Sequence, residues 1–261
     1  MTEKLSAPQL YGNRLQQLLR VFWRLSLLLL HVLAGIWLSL NIKKIRLADG
    51  KTLPDPRPVS RWSARALKIM GIRIIDHGKP PSNPGLVVAN HISWVDIPVI
   101  NSLTGAAFLS KNSIRYWPVI GWFAAASGTI FIRRGKHEAQ QVSNAIAERL
   151  LEKRNLAIFP EGTTSDGSKV RRFFPRLFAA AIKTGSPVIP IALRYTSEGK
   201  PDKHIPYIKG RSFLAILFGI LARKESKVHV YFCDPILPSG QDRRSLANLS
   251  RSTLQAALSD D

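Results

Sequence analysis

The residues best suited to chemistry in this chain are His91 and Asp96, in Asn90-His91-Ile92-Ser93-Trp94-Val95-Asp96, directly after the apolar run Gly85-Leu86-Val87-Val88-Ala89. An imidazole is an effective base near neutral pH, and a carboxylate accepting its other ring N–H fixes the tautomer and stabilises the imidazolium. The pair is therefore suited to taking a proton from a hydroxyl as that hydroxyl attacks an electrophile. A five-residue spacing turns about 140° on a helix and points to opposite faces on a strand, so these side chains meet only across a turn. A short buried strand leading into a helix supplies one, and in open α/β sheets ligands sit outside the carboxyl ends of strands.

The same H-x4-D spacing recurs at His229 and Asp234, inside the apparent strand Lys227-Val228-His229-Val230-Tyr231-Phe232-Cys233-Asp234. Strand alternation separates those two side chains, and that copy is expected to be structural. His91 is distinguished by three segments placed after it in order along the chain: Gly128-Thr129-Ile130-Phe131-Ile132-Arg133-Arg134, Phe159-Pro160-Glu161-Gly162-Thr163-Thr164, and Val188-Ile189-Pro190-Ile191.

With NHISWVD, these segments resemble the four sequence blocks of the glycerolipid acyltransferase family, above all its bacterial 1-acyl-sn-glycerol-3-phosphate acyltransferases. The resemblance spans roughly residues 70 to 195. It implies direct transfer of an acyl group from acyl-CoA or acyl-carrier protein to the sn-2 hydroxyl of 1-acyl-glycerol-3-phosphate, giving phosphatidic acid. His91 would be the base and Asp96 its partner, with no covalent acyl-enzyme and no cofactor besides the acyl donor. It further implies that Arg134 receives the acceptor phosphate, with Arg133 beside it where many relatives have Asp or Asn, and that Glu161, Gly162 and Thr163 contribute to acceptor binding. Paired guanidinium donors suit phosphate oxygens, and glycine lets backbone approach a ligand closely.

Thr164 departs from the pattern, because many phosphatidate-forming relatives carry Arg or Ser there. Nearby Lys169, Arg171 and Arg172 could restore the lost charge, although a solvated loop is the plainer reading of those three. The segment EGTTSDG also resembles a proteobacterial subgroup that includes lyso-ornithine lipid acyltransferases, so lyso-ornithine lipid or another lysolipid is the alternative acceptor. A non-catalytic basic protein that binds anionic lipid is the alternative from a different class. It leaves the imidazole–carboxylate pair unexplained.

Lys and Arg total 38 against 17 acidic residues, a formal charge of +21 that asks for an anionic partner. The N-terminus favours a membrane surface over nucleic acid. Leu25 to Ile42 is uncharged and Leu-rich, with Arg14, Arg20 and Arg24 before it and Lys43, Lys44 and Arg46 after it. As a helix it extends about 27 Å against a bilayer core of ~30 Å, so one-leaflet anchoring and a single span both remain open. Both acyl donors are cytosolic, which places the expected enzyme at the inner membrane with its catalytic domain facing the cytoplasm. The single cysteine, Cys233, excludes an internal disulfide framework and reads as a small buried apolar residue. His31, His77, His137 and His204 have no ligand spacing, and no metal is expected.

Residues 1–60 are expected to form the anchor and, over 43–60, a short extended, basic, proline-containing connection, and residues 61–261 the acyltransferase domain. Helices are predicted over 61–70, 136–153, 173–184 and 243–258, and strands over 72–76, 85–89, 106–109, 128–132, 155–159, 188–194 and 228–232. This alternation predicts a single α/β domain around a mostly parallel or mixed sheet flanked by helices, plus the N-terminal apolar helical segment. The aromatic segment 116–123 suits an acyl-chain pocket, a membrane interface or the core. Phe213 to Leu221 suits a buried helix or a second membrane contact.

Overall fold

The computed structural model describes residues 13–41, 44–46, 50, 52–117, 120–132, 139–208 and 210–259. The chain opens with helix α1 (Arg14–Leu40), the antiparallel pair β1 (Lys44–Arg46) and β2 (Thr52–Pro54), helix α2 (Pro56–Met70), and strands β3 (Ile72–His77) and β4 (Leu86–Ala89). It continues with α3 (Asp96–Thr104), β5 (Ala107–Lys111), α4 (Ile120–Ala126), β6 (Ile130–Ile132), α5 (Ala139–Leu151) and β7 (Leu156–Ile158). The last part holds α6 (Ala179–Thr184), β8 (Val188–Ser197), β9 (Lys200–Pro201), α7 (Phe213–Ala222), β10 (Ser226–Phe232) and α8 (Arg243–Ser259).

The main sheet has the order β3-β10-β8-β4-β7-β5-β6, with β9 paired to β8. Neighbours from β8 through β4, β7 and β5 to β6 run parallel, whereas β10 is antiparallel to β8 and carries β3 parallel to itself. The sheet is therefore mixed, with helices on both faces. β4 lies near its middle, which is why Leu86, Val87, Val88 and Ala89 read as an unbroken apolar run and are all fully buried. Its alternation sends Val87 and Ala89 into one core with Leu67, Val99, Ile100, Ile216 and Ile220, from α2, α3 and α7. Leu86 and Val88 enter the other core, with Ile146, Ala180, Leu246 and Leu254 from α5, α6 and α8.

Three expectations about local structure are corrected. The region before residue 61 is not extended up to the helix, because α2 already starts at Pro56 behind the N-cap Asp55, whose carboxylate accepts Arg57 N–H at 3.0 Å. Pro56 and Pro58 occupy the first turn, where a missing N–H costs nothing and the fixed φ suits a helix. Likewise the N-terminal helix begins well before Leu25, capped by Asn13, whose side chain accepts Gln16 N–H at 2.8 Å. Between residues 173 and 184 the helix is split into a 3-10 turn (Pro175–Phe178) and α6.

α1 packs along the domain. The Arg24 guanidinium donates to the carbonyls of Leu221 (3.2 Å), Arg223 (2.6 Å) and Lys224 (2.9 Å), and Arg20 donates to the Ala222 carbonyl. The carboxyl end of α7 therefore finds its missing donors on α1. Further along, His31 stacks on Trp62 of α2 with ring centroids 4.8 Å apart, and Trp62 stacks on Phe123 of α4 at 4.6 Å.

Candidate active site

The site begins where β4 ends. Asn90 is buried and pairs its side chain with β8 as a backbone unit would, donating to the Leu193 carbonyl at 2.9 Å and accepting Leu193 N–H at 2.8 Å. The main chain is thereby freed to leave the sheet and turn into α3. Asp96 lies in the first turn of that helix, where a negative charge is favourable. Its Oδ2 accepts His91 Nδ1–H at 2.8 Å, Ile92 N–H at 2.7 Å and Ser93 N–H at 2.9 Å, which folds the five-residue spacing into a closed turn. Its Oδ1 accepts the Tyr195 hydroxyl at 2.7 Å.

Asp96 is 0% exposed, so these donors replace its lost hydration. Burial first, and the adjacent Asp96 carboxylate second, push the Tyr195 hydroxyl well above its ordinary pKa. Tyr195 therefore remains a protonated donor. With the His91 Nδ1 proton engaged, the neutral ring carries its lone pair on Nε2. The imidazole side chain is 19% exposed and stacks on Phe159, at the end of β7, with centroids 3.9 Å apart.

Glu161 follows Phe159 by two residues and is 5% exposed. Its Oε1 accepts His91 N–H at 3.0 Å and its Oε2 accepts Arg171 N–H at 3.3 Å. Burial raises the Glu161 pKa, opposed by these two backbone donors. Both oxygens are thus engaged with main chain, and the carboxylate braces the turn that carries His91. Gly162 has φ +69°, and a Cβ there would come within 2.7 Å of the Phe174 ring, so the turn requires glycine. Ser165 N–H donates to the His91 carbonyl at 2.8 Å, Tyr207 N–H donates to the Ile92 carbonyl at 2.8 Å, and the Thr164 hydroxyl donates to the Tyr207 carbonyl.

The expected residues fall into three groups. His91, Asp96, Glu161 and Gly162 come together, although Glu161 faces backbone groups. Thr163 instead lines a cleft of about 360 Å³ with Thr164, Asp166, Arg171 and Ile208. Arg133 and Arg134 lie outside the described residues. A second cleft of about 380 Å³, bordered by Leu67, Gly71, Ile72 and Lys224, contains none of these groups. Tyr195 was not anticipated. Its one sequence signal is its place on the alternation of β8, on the face of Ile191 and Leu193. His229 turns to His77 at 2.9 Å and Thr196 at 3.0 Å, in keeping with a structural strand histidine. Cys233 is half-buried, and burial pushes its thiol up to about 11. Among the described residues no three His, Cys, Asp or Glu side chains converge as metal ligands.

Residues 72–194 match the protein family described as Acyltransferase. The chain is 38% identical to a lyso-ornithine lipid O-acyltransferase of Pseudomonas aeruginosa, over 94% of each protein. It is 31% identical to a 1-acyl-sn-glycerol-3-phosphate acyltransferase of Neisseria meningitidis, over 87% of this chain and 91% of that one. Its fold is similar to the crystal structure of the 1-acyl-sn-glycerophosphate acyltransferase of Thermotoga maritima, with a TM-score of 0.67 at 22% identity, over 95% of this chain and 96% of that one. With the matched segment running from the first residue of β3 into β8, and the relatives alike over nearly their whole length, the chain belongs to the glycerolipid acyltransferase family.

Proposed function

We propose that this acyltransferase moves a fatty acyl group from a thioester donor, acyl-CoA or acyl-carrier protein, to a hydroxyl of an ornithine-headed lysolipid. The reading rests on one observation above the rest: a buried, fully satisfied Asp96 holds His91 Nδ1, leaving Nε2 as the basic nitrogen. In the proposed reaction Nε2 takes the acceptor hydroxyl proton as the oxygen attacks the thioester carbonyl. The tetrahedral intermediate expels the thiolate, which recovers the proton from the imidazolium. Tyr195, Asn90 and Glu161 act as positioning residues, and no cofactor beyond the donor is needed.

The preference for an ornithine headgroup is supported by the 38% identical relative that carries this name. A second reading keeps lysophosphatidic acid as acceptor and phosphatidic acid as product, supported by the 31% identical relative. Under it Arg134, with Arg133 beside it, receives the phosphate. In both readings α1 rests in one leaflet of the inner membrane and the catalytic domain faces the cytoplasm, where the donors are.

The test offers purified protein and His91→Ala a labelled acyl-CoA or acyl-carrier protein with lyso-ornithine lipid or lysophosphatidic acid. Wild type should acylate the ornithine acceptor preferentially, and the variant should lose about 10²- to 10⁴-fold in kcat with its fold intact. Full turnover by the variant would reject the general-base role. Preference for lysophosphatidic acid would select the second reading.

A further inference from the structure

The cleft beside the His91 turn carries one charge of each sign. Asp166 and Arg171 line it together with Thr163, Thr164 and Ile208. It adjoins the catalytic candidates through covalent neighbours: Ser165 N–H bonds the His91 carbonyl, and Arg171 N–H bonds Glu161, whose other oxygen bonds His91 N–H. Asp166 uses Oδ1 to accept Ser168 N–H at 3.0 Å and the Ser168 hydroxyl at 2.7 Å. Those bonds, with a smaller contribution from the Arg171 charge, hold its carboxyl below the usual range, so it is ionised at neutral pH. The Asp166 carboxyl also takes a hydrogen bond from its own main-chain N–H, and its charge interacts with that of Arg171.

We infer that Asp166 and Arg171 form the headgroup-selecting pair of the acceptor site, Arg171 receiving a carboxylate and Asp166 an ammonium of a zwitterionic lysolipid. The inference rests on the acyl-transfer reading above and assigns acceptor selectivity within it. An ornithine amide keeps one carboxylate and one ammonium, and so matches the two side chains in sign. A phosphate monoester carries about −1.5 to −2 at pH 7. It gains from Arg171 but is repelled by Asp166, so the same cleft that accepts the zwitterion disfavours lysophosphatidic acid. Ile208 supplies an apolar wall for the methylenes between the two charges.

Asp166→Asn tests the pair, because the amide oxygen can still accept from Ser168 while the negative charge is gone. KM is measured for lyso-ornithine lipid, for the same lipid with its amine acetylated, and for lysophosphatidic acid. In an open cleft the expected effects are about three- to tenfold. Asp166→Asn should raise KM for lyso-ornithine lipid and lower it for lysophosphatidic acid. Acetylation should raise KM for wild type and leave the variant indifferent, a readout that a merely structural role would not move. Arg171→Met should raise KM for both acceptors.

Equal changes for both acceptors in Asp166→Asn, or wild type that ignores acetylation while acylating lyso-ornithine lipid, would overturn the inference alone. Wild type that acylates only lysophosphatidic acid would overturn the ornithine reading and the pair's role with it.

Discussion

At Asp96 the donors of one imidazole, two main-chain amides and one phenol converge on a single buried carboxylate. Such a group cannot be removed without stranding its partners, and each stranded buried donor costs about 1–3 kcal/mol. Glu161 is the second buried carboxylate of the turn and behaves differently with pH. Because burial raises its folded pKa, the folded state holds that proton more tightly than the unfolded chain does. Its contribution to stability is therefore full below the unfolded pKa and is lost as pH rises through the raised folded value. Glu161→Gln removes that slope, so Tm of the variant relative to wild type should climb as pH rises from about 4 through the raised folded value of Glu161. Thermal scans at several pH values decide this; a Tm difference constant over the window contradicts it. The same variant gives up one backbone acceptor beside His91 or Arg171 and should lower kcat.

The element that sets this domain apart from an ordinary α/β fold is α1. At 100° per residue, Arg20, Val21, Arg24, Leu25, Leu28, His31 and Gly35 share one side of the helix, the side that meets α7, α2 and α4. Leu15, Leu18, Leu19, Phe22, Trp23, Leu29, Leu30, Leu33, Trp37 and Leu40 share the other and are exposed. The inward side thus combines Arg20, Arg24 and His31 with Val21, Leu25 and Leu28, which pack on the core, while the outward side is a broad exposed apolar face, unlike that of a surface helix in water. From Arg20 to Gly35 the helix is docked on the domain over about 22 Å, and Arg14–Leu40 as a whole is long and apolar enough to cross a membrane. Exposed Leu214 and Phe218 on α7, and Trp122 on α4, belong to elements packed against α1 and enlarge the apolar surface. Leu29→Glu with Leu33→Glu should cut co-flotation with lipid vesicles at least about tenfold while leaving Tm in detergent near wild type. Undiminished flotation would place the membrane contact elsewhere.

For the whole molecule the net charge of +21 adds a long-range attraction to the short-range contact of α1. Basic residues near an anionic surface contribute about 1 kcal/mol each, screened over a Debye length of ~8–10 Å. Binding to vesicles that contain anionic lipid should therefore exceed binding to neutral ones at low salt. Raising salt to about 0.5 M should erase the excess and leave the α1-dependent part. Flotation across a salt series measures this, and an excess insensitive to salt would argue against charge as its source.

Much of this molecule is legible in its residues alone. The apolar run 85–89 followed by NHISWVD located the central strand, the turn and the imidazole–carboxylate pair, because strand period and turn closure are local properties of consecutive residues. The α/β alternation and the amphipathic α5 were legible for the same reason. What local pattern does not contain is which distant residue completes a site. Tyr195 reaches Asp96 across 99 residues only because β8 and β4 are neighbours in the sheet. Glu161 meets main-chain amides instead of solvent because β7 lies on the other side of β4. The run Leu25 to Ile42 announced an apolar helix, but not that Arg20 and Arg24 before it would cap α7 or that Leu29, Leu30 and Leu33 would face outward while Leu25 and Leu28 pack on the core. Sequence period determined the elements and the His91 turn; sheet order and helix docking, set by long-range burial, decided which groups enclose it.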